Sequence, residues 1–308
     1  MTASKKSRRW PDLPEPLAAP VTDNHTHLPL RVEEIPEVQG ERPSLEEQLR
    51  RAAAVGVHRI VTVGCELNDL EAACALTRLP GVFAAVAIHP NEAPLHAGAL
   101  RHVAADAPDG LTPTLRPHHE VDLDDALSAV AKAARHPDVV AIGESGLDFF
   151  RGGPGARAAQ VAAFRAHIAL AKELDLPLQI HDRDAHAEVI ETLLADGAPE
   201  RTVFHCFSGD AQMAQVLAEH GWYASIAGPL TYHANDYARA ALDRLPRELV
   251  LVETDAPYLA PHPLRGRPNA SYVMPVTVRA IAQRWGVDEA AACAQLEENT
   301  QRVYRFAA

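Results

Sequence analysis

A chain of 308 residues is long enough for two ordinary domains or one large barrel, and its formal net charge of −12 argues against a broad nucleic-acid-binding surface, because such surfaces are basic. No apolar stretch approaches the ~20 residues of a membrane helix, and four cysteines without a CxxC spacing indicate neither a disulfide framework nor a thiolate metal cage. Residues 1–20 carry Lys5, Lys6, Arg8 and Arg9 ahead of four prolines and lack the apolar core of a signal peptide, so a disordered or extended tail on a cytoplasmic protein is expected, with residues 21–308 as one barrel domain.

In chain order, eight short apolar runs read as strands: Val21 to His25, Arg59 to Val63, Val82 to Ile88, Val139 to Glu144, Leu176 to His181, Thr202 to His205, Trp222 to Ile226, and Leu249 to Glu253. They are near-continuous and not strictly alternating, the pattern of strands buried on both faces of a parallel sheet. Helical patterns fall between or after them, over Leu45 to Ala54, Leu70 to Leu79, Asp125 to Arg135, Ala156 to Leu174, Ala185 to Leu194, Ala211 to His220, Tyr237 to Leu245, and Pro275 to Trp285. The alternation predicts an α/β chain folded as a TIM (β/α)8 barrel. Val287 to Tyr304 is an extra C-terminal helix, with Asp288 as its N-cap and Glu289 in its first turn. The stretch Asn91 to Glu120 is rich in Pro, Gly and His and reads as a long loop over the barrel mouth, a partial lid. Its histidines, His96, His102, His118 and His119, end no strand and are expected to be solvated.

Chemistry enters with His25 and His27. Residues two apart on a strand point the same way, so both imidazoles face one side, and at the C-terminal end of a first barrel strand that side opens into the mouth. A His-x-His pair alone does not specify a metal site. Here, however, Glu144, His181, His205 and Asp255 each end or follow another apolar run, so further metal-ligand residue types recur at strand ends.

Six motifs in order resemble the TatD-type metal-dependent deoxyribonucleases, a branch of the amidohydrolase-like barrels. They are Asp23-Asn24-His25-Thr26-His27, Ile88-His89-Pro90, Gly143-Glu144-Ser145-Gly146-Leu147-Asp148, Ile180-His181-Asp182-Arg183-Asp184-Ala185, His205-Cys206-Phe207-Ser208-Gly209, and Glu253-Thr254-Asp255-Ala256-Pro257-Tyr258-Leu259. The resemblance spans Thr22 to Tyr304 and implies a TIM-type barrel carrying two divalent ions and hydrolysing phosphodiesters, often from an end. Ser145 stands where the family commonly has a branched apolar residue, Asp182 where it usually has Ser or Thr, and Ala270-Ser271 where Glu-Pro is frequent; these departures touch substrate preference and remove no ligand.

Carried onto this chain, the resemblance and the residue chemistry agree on His25, His27 and Asp255 for one ion, His181 and His205 for the other, and Glu144 bridging both. A carboxylate can span ions roughly 3.5–4 Å apart. Imidazole nitrogens favour zinc, while family members are often described as magnesium-activated, which leaves zinc, magnesium and manganese as candidates. Asp255 is the expected general base, aiming a water whose pKa the ions lower towards roughly 7, and Glu144 is the second catalytic carboxylate. His89 is read as a substrate phosphate contact or a satisfied loop histidine, and Arg265 and Arg267 as contacts to flanking phosphates. Arg183 reads as solvated or carboxylate-paired, with a phosphate contact as the lesser reading, Glu253 as a support for the ligands, Asp148 as a support or a cap, Cys206 as a buried thiol between strand and helix, and Asn299 as a capping or packing residue.

The implied activity is divalent-metal-dependent cleavage of DNA, as a 3′–5′ exonuclease on single-stranded ends gripped through few phosphates, with a monomer expected. Hydrolysis of a small ester, lactone or amide is the alternative from another class, and removal of an acyl group from transfer RNA a further one. A lysine after strand four would favour the small-molecule class; this chain has Glu144. A non-catalytic binding barrel is disfavoured because every expected ligand is present.

Overall fold

The structure, a computed structural model, describes residues 9–98 and 113–306. Eight parallel strands follow one another around a single sheet in chain order: β1 (Val21–Thr26), β2 (Val57–Gly64), β3 (Val82–Val86), β4 (Val139–Asp148), β5 (Leu178–Arg183), β6 (Thr202–Phe204), β7 (Tyr223–Ile226) and β8 (Val250–Val252). This is the expected TIM-type barrel. Between β8 and β1 the wall closes through residues at and past the strand ends, with Asp255 N donating to His25 O at 3.1 Å and His27 N to Ala256 O at 2.7 Å. The closure ties the last candidate ligand directly to the first pair.

Around the sheet lie α1 (Leu45–Ala54), α2 (Leu70–Leu76), α3 (Ala93–His96), α4 (Leu123–Ala133), α5 (Arg157–Leu174), α6 (His186–Asp196), α7 (Ala211–His220), α8 (Asp236–Arg244), α9 (Pro275–Trp285) and the additional α10 (Glu289–Tyr304). Their polar ends follow from sequence: Asp210 accepts from the backbone of Gln212 and Met213, and Asp288 accepts from Ala291 N at 2.7 Å. Glu289, expected only to suit the helix dipole, also binds Arg279 Nε at 2.6 Å and Ala18 N at 2.8 Å, which fastens α10 to α9 and to the N-terminal segment. The apolar faces pack inward, Phe164 and Ile168 of α5 and Leu217 of α7 joining Ile142, Leu178, Ile180 and Phe204 of the strands in one buried core. Each such burial contributes roughly 1.5–3 kcal/mol.

Residues 9–20 are extended and packed onto the barrel. Trp10 and Leu17 are buried in the core, Leu17 N donates to Val55 O at 3.0 Å, and Tyr272 Oη donates to Pro11 O at 3.1 Å. The boundary expected at residue 20 therefore does not separate a tail from the barrel, because two apolar side chains and several backbone groups in that stretch find partners on it. Residues 1–8 lie outside the described residues.

The expected lid is also corrected in part. His96 and His119 are buried and His118 is half-buried, gathered around Glu92, so these three are not solvated. A short helix and a 3-10 turn (Pro117–Glu120) fold them inward, and neither element has a periodicity long enough to read. His102 and residues 99–112 lie outside the described residues.

Two glycines set the approach of β4 to β5. A Cβ at Gly143 would lie 2.5 Å from Gln179 Cβ, and one at Gly146, whose φ is +140°, would lie 2.1 Å from His181 O. Only a residue without a side chain permits that spacing, which sets Gly146 against His181 in the register and leaves the Glu144 carboxylate within reach of the His181 ring.

Candidate metal centre

Glu144 stands at the centre of the mouth, 3% exposed. Its Oε2 faces His25 Nε2 at 3.6 Å and His27 Nε2 at 3.7 Å. Its Oε1 faces His181 Nδ1 at 2.5 Å, His205 Nε2 at 2.7 Å and His89 Nε2 at 3.4 Å. Asp255 Oδ1 completes the first set, 3.5 Å from His27 Nε2 and 4.0 Å from His25 Nε2. The six residues expected to ligate metal are thus brought together, and the four histidines among them divide between the two oxygens of the Glu144 carboxylate.

A deeper ring of groups sets which nitrogen each imidazole presents. Gln179 commits its Nε2 to Asn24 O and Tyr304 Oη, both at 2.8 Å, so its Oε1 accepts the Nδ1 proton of His25 at 2.9 Å. His25 Nε2 is then left as a bare lone pair, buried and without a hydrogen-bond partner. Glu253 Oε1 lies 3.3 Å from His205 Nδ1 and accepts from Cys206 N at 2.8 Å, the supporting position expected of it. Asp148 is both support and cap: Oδ2 meets His181 Nε2 and Asn91 Nδ2, each at 3.1 Å, while Oδ1 accepts from Phe150 N and Arg151 N. Gln179 escaped the sequence reading, although a signal was present. It precedes His181 by two residues, as Glu253 precedes Asp255, and strand alternation aims both one layer below a ligand.

Burial opposes charge throughout this cluster, and opposite charges overcome it. For Glu144, burial raises the pKa, but His205, His89 and His181 carry it well below the usual carboxylate range. For His181, burial lowers the pKa, yet Glu144 and Asp148 lift it to about 9, and His205 is raised in the same way by Glu144 and Glu253. Asp255 also ends below its ordinary value, since burial is outweighed by His27, His205 and His25. The carboxylates thus favour positive charge at the facing imidazoles His181 and His205, and a divalent ion would supply that charge in place of a proton. Imidazole nitrogens mixed with carboxylate oxygens, one nitrogen buried without a partner, are a donor set that fits divalent ions of the zinc type. The backbone shares in this: Asp255 and Cys206, just past β8 and β6, have φ of 51° and 42°, left-handed conformations that cost free energy and cluster at functional sites.

The site floors a cavity of about 1160 Å³ whose wall includes Arg151, Arg183, Tyr232, Tyr237 and Tyr258. Arg265 and Arg267, expected to reach phosphates there, are not among its lining residues. Arg265 is exposed and stacks its guanidinium 4.2 Å from the ring centre of Tyr232, so the aromatic lines the mouth and the arginine backs it. Arg183 lines the wall itself, over the ring of Phe150 at 4.1 Å. Cys206 lines the cavity too and does not sit between strand and helix, its positive φ having broken the strand alternation. His89 accepts from Asn91 N at Nδ1, so its neutral ring carries the proton at Nε2 and donates towards Glu144; it is held against that carboxylate. Asn299 anchors α10, donating to Arg247 O and Val250 O.

Comparison with known proteins agrees with this geometry. The family profile of TatD-related DNases matches residues 22–305. The chain is similar to the "Uncharacterized metal-dependent hydrolase TatD" of Mycobacterium tuberculosis, 38% identical over 273 residues that cover 85% of this chain and 89% of that one. It is 33% identical over 271 residues to the "3'-5' ssDNA/RNA exonuclease TatD" of Cronobacter sakazakii, covering 84% and 91%. Among solved structures, the TatD homologue YjjV of Escherichia coli K12 superposes with a TM-score of 0.75 at 26% identity, covering 93% of this chain and 98% of that one. A profile match over nearly the whole barrel, joined to a relative aligned over most of both chains and a mouth built from imidazoles and carboxylates, shows that the chain belongs to the TatD-related DNase family and is a metal-dependent hydrolase.

Proposed function

We propose that this protein removes nucleotides from the 3′ ends of single-stranded DNA, using two divalent ions held on either side of Glu144. The observation that carries the reading is the division of the Glu144 oxygens between two nitrogen sets. His25, His27 and Asp255 would hold one ion and His181 and His205 the other. The chemistry such ions supply is activation of water near neutral pH and polarisation of a phosphoryl oxygen.

The remaining work falls to the chain. Asp255, kept ionised by its histidine neighbours, accepts the proton of the attacking water and aims it. Gln179, Asp148 and Glu253 hold three imidazoles in one orientation, which spares the site reorganisation during reaction. Arg151 and Arg183 on the cavity wall neutralise flanking phosphates.

Three points favour a nucleic-acid end over a small ester, lactone or amide. The cavity exceeds the roughly 300–1,000 Å³ of small-ligand sites. Tyr258 and Tyr237 are exposed at it, 59% and 46%, and offer ring faces to unpaired bases. A relative aligned over most of both chains bears an exonuclease name. The test is product analysis on 5′- and 3′-labelled single-stranded DNA and RNA, beside a panel of esters and lactones, with magnesium, manganese and zinc in turn. Stepwise shortening from the 3′ end is expected. Turnover of the small esters with the strands left intact would reassign the substrate class.

A further inference from the structure

Outside the mouth floor, a second group of metal-ligand side chains has formed from the stretch expected to be a solvated loop. Glu92, His96, His118 and His119 each offer a donor atom, all within 4.8 Å of one another. His96 is 4% exposed, and its Nδ1 donates to Val121 O at 2.8 Å, which fixes the tautomer and leaves Nε2 a lone pair. That Nε2 is buried and has no hydrogen-bond partner. Burial also holds His96 below the usual histidine pKa, in the neutral form that ligates. His118 Nε2 lies 3.5 Å from Glu92 Oε2 and 3.8 Å from Glu66 Oε2. His119 plays a different part: its Nδ1 accepts from Arg116 N at 2.9 Å, so Nε2 carries the proton and donates to Glu92 Oε2 at 2.7 Å.

We propose that His96 Nε2, His118 Nε2 and the Glu92 carboxylate form an additional site for a zinc-type divalent ion, with His119 orienting Glu92 by its hydrogen bond. The donor set is two neutral imidazoles and one carboxylate, which zinc takes at about 2.0–2.2 Å with a fourth position left for water or a further carboxylate. Glu66 stands within reach for that role, and its pairing with Arg116 neutralises it otherwise. A histidine that donates to a ligating carboxylate is the usual arrangement around such ions turned about, and it fixes the carboxylate as firmly. The sequence signature is a His four residues after Glu92 and a His-His pair ahead of α4, which only the fold brings together.

The site is separate from the pair flanking Glu144 and is placed to brace it. Glu92 N donates to His89 O at 2.8 Å, and Asn91 between them reaches Asp148, the support of His181. An ion here would pin the turn Pro117–Glu120 to α3 and stiffen the arm that carries His89. Its role is structural.

The test counts ions with the mouth emptied, so that its outcome does not depend on how many ions Glu144 bridges. Protein carrying His25→Ala, His27→Ala and His181→Ala is stripped with chelator, loaded with zinc, desalted and analysed for metal. One zinc per chain is expected to remain, falling at least tenfold when His96→Asn and His118→Asn are added. Folded protein, checked by circular dichroism, that holds no zinc before those two changes would overturn the proposal and leave the cluster a hydrogen-bonded latch. If the multiple variants fail to fold, wild-type protein labelled with ¹⁵N at histidine decides: zinc titration moves the Nε2 resonances of His96 and His118 if they ligate, and unmoved resonances at saturation overturn the site.

Discussion

Gln179 Oε1 accepts the Nδ1 proton of His25 at 2.9 Å, and this one bond decides that His25 turns a bare Nε2 towards Glu144 and Asp255. Gln179→Leu removes the acceptor and puts an apolar side chain of similar volume in the strand. Metal affinity and activity are expected to fall about 10–100-fold, the usual effect of losing a group behind a ligand. Zinc binding followed by competition with a chromophoric chelator checks it, and an unchanged affinity would mean that Gln179 serves β5 packing alone.

Asp255 and Glu144 should part company when each is replaced. Asp255→Asn keeps an oxygen but loses the basic carboxylate, so turnover is expected to drop ~10²–10⁴-fold with most of the metal retained. Glu144→Ala takes away the group that faces both nitrogen sets and is expected to lose metal and activity together. Paired elemental analysis and kcat measurements distinguish the two patterns.

Much of this was legible before the fold was known. Eight apolar runs gave the barrel, because strands buried on both faces cannot hide their composition, and ligand types at the ends of those runs marked the mouth. What stayed hidden depends on where side chains meet across elements. Arg265 looked like a phosphate contact by its position after β8, yet it lies against the ring of Tyr232. His96 and His119 looked solvated because no periodic element surrounds them, and their burial comes from a four-residue helix and a 3-10 turn folding onto Glu92. Trp10, in a segment of prolines and charges, is buried in the core and donates its Nε1 proton to Glu41 O, a contact 31 residues away that no local pattern announces.

Substrate grip should therefore follow the cavity wall. Tyr258→Ala is expected to raise KM for a single-stranded oligonucleotide several-fold or more, since a base stacked on an aromatic contributes about 1–3 kcal/mol. Arg183→Ala should raise KM with little change in kcat. Replacing both Arg265 and Arg267 by Ala should leave KM near that of the wild type. Steady-state kinetics on one labelled strand compares all three, and a large KM rise confined to the Arg265 and Arg267 variant would restore the reading made from sequence.

Ser145, a departure from the family pattern, has its partner in His167. His167 Nε2 accepts from Ile88 N at 3.2 Å, so Nδ1 donates to Ser145 Oγ at 2.8 Å, and burial pushes His167 down to about 4. A histidine depressed in the fold stays neutral there while the unfolded chain takes up a proton near 6.5. Its contribution is therefore complete above about pH 6.5 and is lost as pH falls towards 4, costing about 2 kcal/mol at pH 5 relative to pH 7. Urea midpoints at the two pH values, compared between the wild type and His167→Gln, should show that difference in the wild type and much less in the variant. Equal pH dependence in both would assign the acid sensitivity to other groups.

The central claim, that each oxygen of Glu144 serves its own ion, is tested most directly by anomalous scattering from crystals grown with manganese or zinc. Two peaks are expected beside Glu144, roughly 3.5–4 Å apart, one against His25, His27 and Asp255 and the other against His181 and His205. A single peak, or two that share neither oxygen of Glu144, would contradict the bridging arrangement and the two-ion chemistry built on it.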